Sequence, residues 1–77
     1  MSLANSIKLI RQEALLSQEQ FADELNVGIT TVNRWECGKS IPSISKMKNL
    51  QAFCENKGIS YEAVKNAWLE ARMRASI

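Results

Sequence analysis

The chain has 77 residues, 45% of them hydrophobic, and its 10 Lys and Arg against 8 Asp and Glu leave a net charge of +2. That length closes one hydrophobic core and no more. No stretch approaches the roughly 20 apolar residues of a membrane span, and none opens the chain as a signal peptide would. The expectation is one small soluble domain, cytoplasmic, with no membrane partner. Cys37 and Cys54 have no histidine to join them, so no metal site is expected, because structural zinc takes four ligands. Both thiols should be reduced, Cys54 in the core and Cys37 exposed. There is no glycine-rich phosphate loop and no room for a buried cleft. No enzyme activity, cofactor or small-molecule ligand is therefore expected.

In chain order, residues 5–15 place Ile7 and Ile10 at helical spacing, with Lys8 and Arg11 on other faces, which predicts the first helix. Ser17 followed by Gln20 is a capping box and opens the second. Its inward stripe is Phe21, Ala22 and Leu25. Asn26-Val27-Gly28 leaves room only for a sharp crossing, with Val27 turned inward and Asn26 in a left-handed conformation that asparagine tolerates. The third helix runs from Ile29 to Cys37, and Gly38 ends it.

Pro42 keeps the next residues extended, and Ser43 caps a fourth helix. That helix carries Ile44, Met47, Leu50 and Cys54 on its apolar stripe, with Phe53 beside them, and Gly58 stops it. Ser60 opens a fifth helix, 60–76, with Tyr61, Val64, Trp68 and Ala71 on one side. No window alternates as a strand does. The expected fold class is all-α: a single domain over 1–77, five short helices, its core within 5–59.

The charges are unevenly spread. Residues 29–48 carry Arg34, Lys39, Lys46 and Lys48 against Glu36 alone, while residues 18–25 carry Glu19, Asp23 and Glu24. This gives either a basic face for a polyanion or ordinary solvated surface. On a wheel of about 100° per residue, Val32 and Trp35 define the inward side of the third helix. Thr30 and Cys37 then point outward, Asn33 and Arg34 flank them, and Ile29, Thr31 and Glu36 lie at the edges. Arginine pairs with guanine, asparagine with adenine, and threonine or isoleucine methyls with the thymine methyl. The same face is also what a solvated helix side would carry. The short joint before it has the geometry of a helix-turn-helix.

Ser17-Gln18-Glu19, Phe21-Ala22, Leu25-Asn26-Val27, Thr31-Val32, Arg34-Trp35-Glu36, Gly38-Lys39 and Pro42-Ser43 stand at fixed spacing. Together they resemble the phage repressor and Cro-like helix-turn-helix family, also called the xenobiotic-response-element family, over residues 5–59. The resemblance implies a compact lambda-repressor-like fold with the motif at helices two and three, and double-stranded DNA as partner. It implies that Ile29, Thr30, Asn33 and Arg34 read base edges, while Gln18, Thr31 and Lys39 contact the DNA backbone. It also implies that Arg11 and Glu36 form a structural pair. The chain departs from the pattern at Asn26 (a turn glycine), Gly28 (a Ser or Thr cap) and Cys37 (often asparagine).

The stripe Tyr61, Val64, Trp68 and Ala71 can pack on the domain's own core, meet a second copy through Trp68, or lead into a further domain. Some relatives dimerise through their fifth helix, so the resemblance implies a homodimer. The functional expectation is sequence-specific DNA binding by a transcriptional regulator, with helix 29–37 in the major groove. The alternatives are a protein-interaction or antitoxin module, and the DNA-targeting domain of a larger enzyme.

Overall fold

The computed structural model describes residues 2–75, which form five α-helices and, among these residues, no strand. Helix α1 spans Leu3–Glu13, α2 Gln18–Leu25, α3 Ile29–Glu36, α4 Ile44–Lys57 and α5 Glu62–Ala75. None of them is long and apolar enough to cross a membrane.

Short polar residues set most helix starts. Ser17 Oγ accepts from the Gln20 N–H at 3.1 Å while Gln20 Oε1 accepts from the Ser17 N–H at 3.0 Å, completing the expected capping box. Ser43 Oγ caps α4 through the Lys46 N–H. The first helix starts earlier than its apolar spacing suggests, because Ser2 Oγ accepts from the Asn5 N–H at 3.1 Å. It also ends earlier, at Glu13 rather than residue 15. Leu15 adopts φ 60°, a left-handed turn that reverses the chain and leaves its side chain 89% exposed. Helix α3 stops one residue short of expectation, with Cys37 as its C-cap and Gly38 at φ 73°. Gly58, at φ 69°, ends α4.

Each helix gives one side to a single core. Ile7 and Ile10 come from α1; Phe21, Ala22 and Leu25 from α2; Val32 and Trp35 from α3. Met47, Leu50, Phe53 and Cys54 follow from α4, and Val64 and Trp68 from α5. Phe21 and Phe53 meet edge to face with centroids 5.2 Å apart. Helix α1 packs on α3 and α5, and α2 packs on α3 and α4. The third helix is thus seated from one side only, with α1 and α2 beneath it.

Two expectations for the second half need correction. Ile44 is exposed rather than part of the buried stripe, because α4 begins beyond the edge of the core and burial starts at Met47. Tyr61 precedes α5 instead of lying within it: its carbonyl accepts from the Lys65 N–H, and its hydroxyl donates to the Met47 carbonyl at 3.1 Å. Half-buried against the core, Tyr61 stands immediately before the first residue of α5. Residue 76 of the expected fifth helix lies outside the described residues.

Candidate nucleic-acid interface

The joint between α2 and α3 forms as its residues dictate. Asn26 takes φ 58°, ψ 44°, and its N–H donates to the Asp23 carbonyl at 3.1 Å. Val27 donates to the Ala22 carbonyl at 3.0 Å and packs half-buried against the core. Gly28 is extended at φ −76°, and α3 has no side-chain cap there. Its backbone would suit any residue, and a Cβ would meet nothing within 4 Å.

Beneath α3 lies the ion pair that holds it. Arg11 Nε donates to Glu36 Oε2 at 2.7 Å and Nη2 to Oε1 at 3.0 Å, a two-pronged contact. Arg11 Nη1 also donates to the Leu16 carbonyl at 3.0 Å, so one guanidinium ties the end of α1, the α1–α2 turn and α3. The side chains of Arg11 and Glu36 are 15% and 4% exposed. Hydrogen bonding to Glu36 raises the arginine pKa against the desolvation that lowers it. Gln18 then donates Nε2 to Glu36 Oε1 at 3.1 Å, bracing α2 against α3.

With that underside fixed, the outward side of α3 is Ile29, Thr30, Asn33, Arg34 and Cys37, all exposed, with Thr31 half-buried at the edge. Val32 and Trp35 point into the core as the wheel requires. Arg34 makes no ion pair with the described residues, and neither do Lys39, Lys46 and Lys48. The Lys39 N–H donates to the Arg34 carbonyl at 2.9 Å, which folds the loop after Gly38 back against the end of α3. Glu36 is the sole carboxylate in 29–48, and it is neutralised by Arg11. The region therefore presents unopposed positive charge around a short polar helix. Opposite in sign, Glu19, Asp23 and Glu24 are exposed on α2, where Glu24 reaches Lys57 at 3.5 Å.

Two contacts at this face were not anticipated: Asn33 Nδ2 lies 3.5 Å from Gln18 Oε1, and Cys37 Sγ lies 3.8 Å from Asn33 Oδ1. The four-residue spacing of Asn33 and Cys37, neighbours on one helix face, carries the signal for the second. No group of three or more His, Cys, Asp or Glu among the described residues is arranged to hold a metal.

Trp68 stands apart from this face. It is 8% exposed, and its indole Nε1 donates to the Pro42 carbonyl at 2.7 Å, pinning the extended segment before α4. Arg72 lies over its ring, 4.8 Å from the centroid. The ring thus packs on the chain's own core. What α5 leaves exposed nearby is Leu69 and Met73.

A family model described as helix-turn-helix matches residues 7–61. The chain belongs to the helix-turn-helix family. Its match begins within α1 and runs through Tyr61, so it takes in the joint, α3 and the Arg11–Glu36 pair. The chain is also similar to the HTH-type transcriptional activator BcrR of Enterococcus faecalis, 32% identical over 53 residues. That alignment covers 69% of this chain and 26% of the relative, so the chain spans about a quarter of the relative's length. No solved structure matches it significantly.

Proposed function

We propose that this helix-turn-helix domain binds double-stranded DNA sequence-specifically, with α3 in the major groove, as the DNA-binding part of a transcriptional regulator. The observation that carries the reading is a helix braced from below by Arg11, Glu36 and Gln18 while its outward residues and nearby cations keep no charged partner among the described residues. A rigidly seated helix holds base-reading groups in place at low entropic cost. Membership of the family and the similarity to a transcriptional activator support the same reading.

Under this proposal Arg34 donates to guanine, Asn33 pairs with adenine, and the methyls of Ile29 and Thr30 contact thymine. Thr31 and Lys39 hold the DNA backbone. Gln18 both braces α3 and contacts a phosphate near the start of α2. Gly28 supplies only its backbone N–H where a Ser or Thr would add a hydroxyl. A single domain neutralises few phosphates, so pairing of two copies, which sets half-sites about one helical turn apart, is part of the proposal. Leu69 and Met73, both exposed on α5, are apolar contacts open to such pairing beside the buried Trp68.

The test is fluorescence anisotropy of a mixed-sequence duplex titrated at rising salt. Affinity should fall steeply, with a log–log slope of roughly −0.9 for each phosphate neutralised. Absence of binding even at low salt would rule the proposal out.

A further inference from the structure

The polar groups under and beside α3 form a chain whose orientation is dictated at one end. Glu36 is an ionised carboxylate held by Arg11 and offers acceptors only. Gln18 must therefore turn Nε2 toward Glu36, and its Oε1 is left facing Asn33. Asn33 must in turn present Nδ2 to Gln18, so its Oδ1 points along the helix to Cys37, whose thiol supplies a hydrogen. Two carboxamides, each free in isolation to flip, are left with one orientation. Cys37 closes the chain.

We infer that Cys37 is a positioning residue for base reading: with Gln18 it fixes the flip of the Asn33 carboxamide, and with it the base preferred where Asn33 meets DNA. The inference rests on the DNA-binding proposal above and extends it to a residue outside the reading set. Both contacts leave capacity to spare, since Nδ2 keeps a second hydrogen and Oδ1 a second lone pair. Those suffice to donate to adenine N7 and accept from its N6 amino group. Guanine carries acceptors at both places. Asn33 meets both only by swinging Nδ2 between N7 and O6 with Oδ1 turned away from the base, since either flip otherwise sets Oδ1 against an acceptor; that swing breaks the contacts to Gln18 and Cys37. The thiol thus favours adenine over guanine while touching neither.

The experiment is enrichment of duplexes from a random pool by the full chain, with the adenine-to-guanine ratio read at each position. Asn33→Ala first identifies the position that Asn33 reads. There, Cys37→Ala should lower the ratio by roughly threefold, the size of one weak hydrogen bond, with affinity for random DNA unchanged. Cys37→Ser, whose hydroxyl also donates, should keep the ratio. In the unaltered protein, methyl methanethiosulfonate should cap Cys37, reproduce the alanine result, and release it on reduction. Cys54 stays out of that reaction, being buried with its thiol pushed up to about 11. An unchanged ratio in Cys37→Ala overturns the inference, as does equal loss at all positions in both the alanine and serine variants. If the unaltered protein enriches no sequence at all, the DNA-binding proposal itself fails and takes this inference with it.

Discussion

Replacing Arg11 with methionine tests the brace under α3 most severely. The substitution keeps an apolar stem of similar length but removes both hydrogen bonds to Glu36 and the one to the Leu16 carbonyl. Glu36, with a side chain 4% exposed, would then keep only the Gln18 donor. Stripping one partner from a buried ion pair costs about 3–5 kcal/mol, because the other charge stays buried and uncompensated. A domain of this size holds roughly 3–5 kcal/mol in all, so Arg11→Met should be largely unfolded at 25 °C. Urea unfolding followed by far-UV ellipticity measures this, with a slope of about 1 kcal/mol per molar. The double variant Arg11→Met, Glu36→Leu should recover most of the loss, since it removes the stranded charge. The raised arginine pKa places the pair's contribution below the ordinary arginine range, to be lost only at still higher pH, so arginine titration should not weaken it at neutral pH. A loss below about 1 kcal/mol, the range of an exposed pair, would show that Arg11 and Glu36 do not hold α3 in place.

Leu15→Gly should stabilise the domain by up to about 1 kcal/mol, because φ 60° strains a leucine and the lost side chain is already 89% exposed; melting temperature reads it. Ser6 is buried in α1 with its hydroxyl unpartnered by any described residue. Ser6→Ala should therefore raise the urea midpoint, gaining about 1–2 kcal/mol from the removed polar burial and better helix propensity. At pH 8, Ellman's reagent should titrate Cys37 promptly and Cys54 only on unfolding, since burial first and the charge of Glu13 second push the Cys54 thiol up to about 11. A thiol pKa raised in the folded state holds its proton more tightly there. Its stabilising share is thus whole below about pH 9 and declines towards about pH 11, visible as a falling urea midpoint.

Much of the fold can be read from residues whose chemistry acts locally. Ser17 with Gln20, Asn26, Gly38, Ser43 and Gly58 each do what their side chain or its absence dictates, and the helices follow from them. The misplaced features depend on distant packing. Leu15 takes a left-handed turn that leucine disfavours, imposed by the α1–α2 connection. Ile44 lies on the right stripe of α4 but beyond the core's edge, whereas Trp68 packs on the chain's own core, as one of its expected roles has it, and donates to the Pro42 carbonyl. At the candidate interface, the wheel separates Val32 and Trp35 from Thr30, Asn33 and Arg34, since a two-turn helix seated on one side has a single inward direction. Periodicity says nothing of the Gln18–Asn33 contact, which joins side chains of two elements, whereas Asn33 and Cys37 stand four apart on one helix face and that spacing signals theirs.

Base reading by α3 is tested most directly by comparing affinity for an enriched duplex and a random one, in the unaltered chain and in Arg34→Ala. The unaltered chain should prefer the enriched duplex. Arg34→Ala should lose about 1–3 kcal/mol on that duplex, the value of a bidentate guanine contact, and much less on random DNA. Equal loss on both duplexes would make Arg34 a phosphate contact only and would contradict the reading face assigned to α3.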